Sequence, residues 1–359
     1  MLKRGVIWRQ SSRMKAKFQP SLRIVCHSLG KVLWVWVALL ISSNAQAQNL
    51  FAALQLGITE ITPGGVQSTF ATGLDYPVGL AFNSAGDLFV SDLSGNIYEF
   101  TPAGVQSTFA TGFYYPSGLA FNSAGDLFVS DYGSGTPGSG TITRITPGGV
   151  KTNFASGLQN PFGLAFNSAG NLFEADYSSG NIYEFTPNGT RTTFASGLSY
   201  PRGLAFNSAG NLFVTDSGSG NIYEFTPGGA QSTFASGFYY LNALAFNSAG
   251  DLFSPASSST TSIGNIYEFT PGGAQSIFVA QVYSQALAFQ PAPELLAVGT
   301  NGAVQLTVLM PSPYLSTIVQ ASTDFASWGN IYTNTPPFTF TDSTATNFTH
   351  RFYRGRLGP

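Results

Sequence analysis

The chain has 359 residues and a formal net charge of −2, with 9% charged residues against 14% aromatic ones. Eight of its fifteen basic residues lie before position 48 and all seventeen acidic residues after it, so the remainder carries −10. That balance excludes nucleic acid as a partner, which needs a basic patch, and speaks against anionic membrane surfaces. The only cysteine, Cys26, excludes a disulfide framework.

Residues 1–47 have the layout of an export signal. Lys3, Arg4, Arg9, Arg13, Lys15, Lys17, Arg23 and Lys31 precede the apolar run Val32-Leu-Trp-Val-Trp-Val-Ala-Leu-Leu-Ile41. Ala45-Gln46-Ala47 then fits a small-x-small cleavage site. Ten apolar residues fall short of the roughly 20 needed to span a bilayer. A secreted or cell-surface protein is expected, with no membrane contact once the signal, Cys26 included, has left.

From residue 49 a repeat takes over. Its anchor phenylalanine recurs as Phe82, Phe121, Phe166, Phe206, Phe246 and Phe289, at steps of 39, 45, 40, 40 and 43 residues. A period of this size signals a solenoid, propeller or array. Each repeat holds four short apolar runs, in the second copy 118–121, 126–130, 141–145 and 150–154. Asn-Ser-Ala-Gly-Asp separates the first pair and Thr-Pro-Gly-Gly the last pair, with Gly supplying positive φ and Pro a preset φ. No run has helical length or spacing. One repeat is therefore a four-stranded antiparallel meander, with strands A to D.

A lone meander leaves large apolar side chains such as Phe206 and Phe213 without cover. Burying each stabilises by roughly 1.5–3 kcal/mol, and packing sheet on sheet around an axis achieves it. The strand inventory closes the ring. Strands B, C and D open the repeats at 49–53, 58–61 and 66–70, and a last strand A ends them at 286–290. The two ends make one composite blade. The expected fold is all-β, a six-bladed β-propeller over residues 48–290.

The pattern Pro-x-Gly-Leu-Ala-Phe-Asn-x-x-Gly-Asn-Leu-Phe-Val-x-Asp, followed by Gly-Asn-Ile-Tyr-Glu-Phe, resembles the NHL repeat over residues 49–290. The resemblance implies a propeller and leaves function open. Two stretches depart from the pattern. Residues 131–140 lengthen one B–C loop, and the Ser-rich residues 254–264 replace another. After a linker at 291–294, residues 295–359 resemble a small C-terminal β-sandwich module appended to many secreted bacterial proteins. Strands are expected there at 295–308, 316–321, 338–342 and 350–354.

In a propeller the D–A and B–C loops share the face that holds the channel mouth. Three residues before the strand A glycine position stand Tyr76, Tyr115, Asn160, Tyr200, Tyr240 and Tyr283, expected as a ring around that mouth. One residue before it stand Val78, Ser117, Phe162, Arg202, Asn242 and Gln285, different in every copy. A symmetric scaffold that varies one inward position makes an asymmetric pocket. These twelve residues are the candidate ligand site, for a small molecule, glycan or peptide; the alternative is that the tyrosines cover blade edges. Asp92, Asp131, Asp176 and Asp216 end strand B. They either cap their own B–C turns or offer oxygen ligands to Ca²⁺; no other cofactor is expected. Glu60, Glu99, Glu184, Glu224 and Glu268, with Arg144 in the sixth place, recur on strand C and are expected to be solvated or paired between blades.

Related propellers include enzymes. Gluconolactonase-like ones hold a divalent metal through Glu, Asn and Asp, and virginiamycin B lyase, which resembles a seven-bladed relative, uses histidine. Here the sole histidine after residue 47 is His350, in the C-terminal module, and no Gly-x-Ser-x-Gly elbow is present. The sequence therefore points to a secreted, monomeric, non-catalytic binding propeller. The alternatives are a metal-dependent hydrolase or lactonase of the gluconolactonase type, and a structural surface or matrix protein.

Overall fold

The computed structural model describes residues 48–258 and 264–291, the strands Arg23–Leu29 and Val32–Leu39, and six strands from Glu294 to Leu357. Every regular element among them is a β-strand. Arg23–Leu29 and Val32–Leu39 form an antiparallel pair; the cleavage motif expected at 45–47 lies outside the described residues.

Residues 49–290 form six antiparallel sheets, which are the blades of a propeller. Blade 1 joins the two ends of the repeat region in the order Leu287–Phe289, Leu50–Leu54, Gly57–Ile61 and Gln67–Thr72. Leu287, Ala288 and Phe289 lie opposite Ala52, Phe51 and Leu50. Backbone bonds from Ala53 N to Ala286 O and from Gln285 N to Ala53 O extend that seam. Blades 2 to 5 are plain A-B-C-D meanders; in blade 4 these are Pro161–Phe166, Leu172–Asp176, Asn181–Phe185 and Arg191–Ala195.

The same aromatic contact occurs at all six blade boundaries. The strand B phenylalanine of each blade meets the strand D phenylalanine of its own blade and the anchor phenylalanine of the next. Phe173 stands 5.0 Å from both Phe194 and Phe206, edge to face. Phe51 repeats this with Phe70 and Phe82. Phe253 closes the ring on Phe278 and Phe289, at 5.1 and 4.9 Å. Such pairs add about 0.5–1.5 kcal/mol beyond burial.

Nearer the axis the spacing is set by glycine. A Cβ on Gly79, Gly118 or Gly163 would lie well inside contact distance of the carbonyl oxygen of Ser117, Phe162 or Arg202 in the next blade. In two places a strand B hydroxyl also donates to that carbonyl, Ser91 to Ser117 O at 2.7 Å and Ser130 to Phe162 O at 2.6 Å. Blades 6 and 1 carry Ala243 and Ala286 at this position, and regular strand A pairing shrinks there to Ala245–Phe246 and Leu287–Phe289. A methyl group needs the room that the neighbouring backbone would otherwise fill.

Three local expectations are corrected. Of the residues 254–264 expected as loop, 254–258 continue strand B of blade 6 as Leu252–Ser258, which pairs with Phe238–Tyr239, while 259–263 lie outside the described residues; strands tolerate Ser, and a partner strand was available. The expected strand 295–308 is instead two antiparallel strands, Glu294–Thr300 and Ala303–Leu309. With Phe338–Asp342 they make one three-stranded sheet, and Gly329–Asn334, Thr317–Ser322 and Phe352–Leu357 make another. Three of the strand C acids pair within their own blades, Glu60 accepting from Asn49. Asn171 donates to Glu184 and Asn211 to Glu224, while Arg144 meets Asp126 at 2.7 Å. The partner in the last three contacts comes from the A–B turn of the same blade.

The close approach of inner strands predicts that Gly163→Ala costs about 1–3 kcal/mol, because backbone of blade 5 must move. Gly148→Ala, whose Cβ would meet nothing nearer than Thr146 Oγ1 at 3.9 Å, is expected to stay within about 0.5 kcal/mol. Thermal unfolding of both variants checks this, and equal midpoints would remove the steric account.

Candidate functional site

The D–A and B–C loops share a face because the strand B aspartates tie them together. Asp131 accepts Tyr114 N–H and Tyr115 N–H from the D–A loop, and Gly133 N–H from the B–C loop. Asp176 takes Gln159 N–H and Ser179 N–H in the same way, and Asp92 takes Asp75 N–H and Ser94 N–H. The capping role expected for these residues is thus extended to a second loop. Oxygens engaged in this way are directed at N–H groups, and among the described residues no three acids, histidines or cysteines converge as a metal cage.

This face carries the tyrosines. Tyr76, Tyr115, Tyr200, Tyr240 and Tyr283 are between 40% and 65% exposed. Tyr76, Asn160, Tyr200 and Tyr240 have φ between 49° and 71°, a left-handed conformation that costs a residue with a Cβ roughly 1–2 kcal/mol. The carbonyls of Asn160 and Tyr200 receive the N–H of Tyr177 and Ser217, so the strained residues also hold the B–C loops. Asn160 is partly buried and supplies no ring. Two exposed pairs, Tyr114–Tyr115 and Tyr239–Tyr240, stand on blades 3 and 6, opposite one another in a ring of six.

The variable position divides into a converging half and a scattered half. Arg202 Nη1 donates to Asn242 Oδ1 at 2.6 Å. Its guanidinium carbon lies 5.1 Å from the Phe162 ring centre and 5.0 Å from that of Tyr177. Tyr177 in turn stacks on Tyr200 at 4.9 Å with a 30° tilt. Asn242 Nδ2 reaches Ser284 O at 3.4 Å. Blades 4, 5 and 6 thus build one polar-aromatic cluster from Phe162, Tyr177, Tyr200, Arg202 and Asn242. Ser117 is buried and bonded to Ser130 Oγ and Pro161 O, which makes it a blade-to-blade contact. Val78 and Gln285 are partly buried.

Tyr177 is the member that sequence reasoning missed. It directly follows the strand B aspartate, where the copies read Leu93, Tyr132, Tyr177 and Ser217. That position varies as openly as the strand A position, and comparing copies there would have found it.

A divalent metal does not fit this cluster. The Asn242 oxygen that would ligate it already accepts a hydrogen bond from a guanidinium, whose positive charge repels a cation at that point.

Close by in the ring lies a second departure from the repeat. Glu174 takes the place filled by Val90, Val129 and Val214 in other blades. It is fully buried, and neither carboxyl oxygen has a hydrogen-bond partner. Burial pushes its carboxyl well above the usual range, with Asp176 adding to the effect and Arg191 opposing it. Burial also raises Asp216, against hydrogen bonds from Ser199 and Ser219, and its Oδ1 is left without a partner.

No protein-family model matches the sequence, and no curated protein sequence does. Solved structures match over most of the chain. A putative gluconolactonase aligns with TM-score 0.52 and 18% identity, covering 73% of this chain and 95% of its own. A gluconolactonase from Xanthomonas campestris gives 0.51 and 17%, with 74% and 92% covered. A catalytically inactive virginiamycin B lyase from Staphylococcus aureus with quinupristin gives 0.50 and 16%, with 75% and 94% covered. At these identities the likeness is one of fold, and the chain is a six-bladed β-propeller.

Glu174 yields a test with a defined sign. Its pKa is raised on folding, so the folded chain holds a proton that the unfolded chain releases. Stability is therefore undiminished below about pH 4.5 and falls as pH rises toward the raised value. Glu174→Val, the residue of three other blades, is expected to gain about 1–3 kcal/mol at pH 8 and to flatten that slope. Urea unfolding between pH 4 and 8 reads both; an unstabilised variant with the slope intact would show the carboxyl to be paired.

Proposed function

We propose that this propeller works on a small molecule at the channel mouth of blades 4 to 6, and that it does so as a hydrolase or lyase. This reading stands ahead of the non-catalytic binder expected from the sequence. Its support is the shared fold with propellers described as gluconolactonases and a virginiamycin B lyase, together with a mouth made asymmetric at one position per blade. The observation that carries it is the Arg202 guanidinium, held against Phe162 and Tyr177 and fixed by Asn242. A fixed cation flanked by low-dielectric aromatic faces stabilises negative charge developing on a substrate oxygen. Because Asn242 is committed to Arg202, the proposed chemistry runs without a metal at that asparagine. In this proposal the chain is exported by residues 1–47 and acts as a monomer outside the cytoplasm.

The test is a turnover screen of the full chain on gluconolactone and a panel of aryl esters, with and without chelator. Phe162→Ala and Asn242→Ala are expected to lower turnover by about tenfold or more, and chelator to leave it unchanged. Turnover lost to chelator would restore the metal-dependent alternative. Ligands that bind without turnover would return the chain to the binding class.

A further inference from the structure

The geometry points to a carboxylate on a flat apolar body as the ligand of Arg202. This deepens the reading above and rests on it. The guanidinium has three faces to fill. Its π-face lies against Phe162 and Tyr177, and its Nη1 corner holds Asn242 Oδ1. The remaining edge is formed by Nε and Nη2. It is the edge that a carboxylate takes side-on through two parallel N–H···O bonds. Nε–H is buried and has no partner. A buried charged donor without an acceptor is unfavourable, so the edge is complete only when a ligand oxygen fills it.

Among the described residues no acid does so. The ion pair of the described residues is Arg144 with Asp126, on the A–B turn side of blade 3. The acids nearest along the loops, Asp176 and Asp216, turn oxygens to Gln159 N–H and Ser219 Oγ. The cation at the mouth therefore has no acid partner among the described residues, in a chain that carries an excess of acids elsewhere.

The surroundings select the rest of the ligand. Phe162, Tyr177 and Tyr200 line up with tilts of 37° and 30° between successive rings. Tyr200 is half exposed, so its ring offers a face to a planar group whose carboxylate reaches Arg202. A tetrahedral oxyanion gains the charge but not the stacking. A neutral aromatic gains the stacking but not the fork.

Thermal unfolding of the full chain with benzoate, benzyl alcohol and inorganic phosphate separates these terms. Benzoate at ten times its Kd is expected to raise the midpoint by about 2–5 °C, with smaller shifts for the other two. Arg202→Gln is expected to abolish the benzoate shift, and Arg202→Lys, which keeps the charge but loses the fork, to retain less than half of it. Far-UV circular dichroism shows whether each variant is folded; if Arg202→Gln is not, Arg202→Lys and the two comparison ligands still decide. An equal shift from benzyl alcohol or phosphate, or a full shift in Arg202→Lys, overturns the assignment. Lactone or ester turnover without a benzoate shift overturns this inference alone. An Arg202-dependent benzoate shift without turnover supports it and removes only the enzymatic reading.

Discussion

Six copies of one edge-to-face phenylalanine triad hold this molecule together. Each ties strands B and D of a blade to strand A of the next, and the sixth, around Phe253, reaches back to Phe289. The ring closes because Phe289 belongs to the same sheet as Leu50–Leu54. With no disulfide available after residue 47, packing and this one seam carry the closure. The triad also explains the period of the sequence, since a boundary repeated six times asks for the same three rings six times.

The inner ring obeys a second constraint. Glycine at three of the six positions, Gly79, Gly118 and Gly163, lets a neighbouring carbonyl come to where a Cβ would stand. That approach locks the residue just before the glycine, whose own carbonyl is the one received. Its side chain is then free to differ, because the backbone alone performs the structural task. Variation at Phe162 and Arg202 follows from this division of labour. So does the asymmetry of the mouth, where a rigid backbone ring presents a handful of unlike side chains.

Within that mouth the charges are arranged unevenly. A guanidinium with aromatic cover and an amide partner occupies one half, and the aspartates beside it are turned toward loop N–H groups. Glu174 lies buried as an acid without hydrogen bonds, in a site that valine fills elsewhere. Groups of this kind reduce stability and collect near functional sites. They occur here in blades 4 and 5, the blades that supply Phe162, Tyr177, Tyr200 and Arg202.

The sequence by itself determined the propeller, its six blades, the composite closing blade and the face that bears the loops. It could do so because strand alternation, turn residues and the repeat period are local properties of the chain. It also marked the variable position, but as six equivalent candidates. Only the tertiary structure decided that Phe162, Arg202 and Asn242 meet while Ser117 becomes a boundary contact, and that Tyr177 joins them from another loop. The long strand B of blade 6 was likewise settled by its pairing with Phe238–Tyr239. Which side chains touch depends on how adjacent blades face each other, and that distance is written in no single repeat.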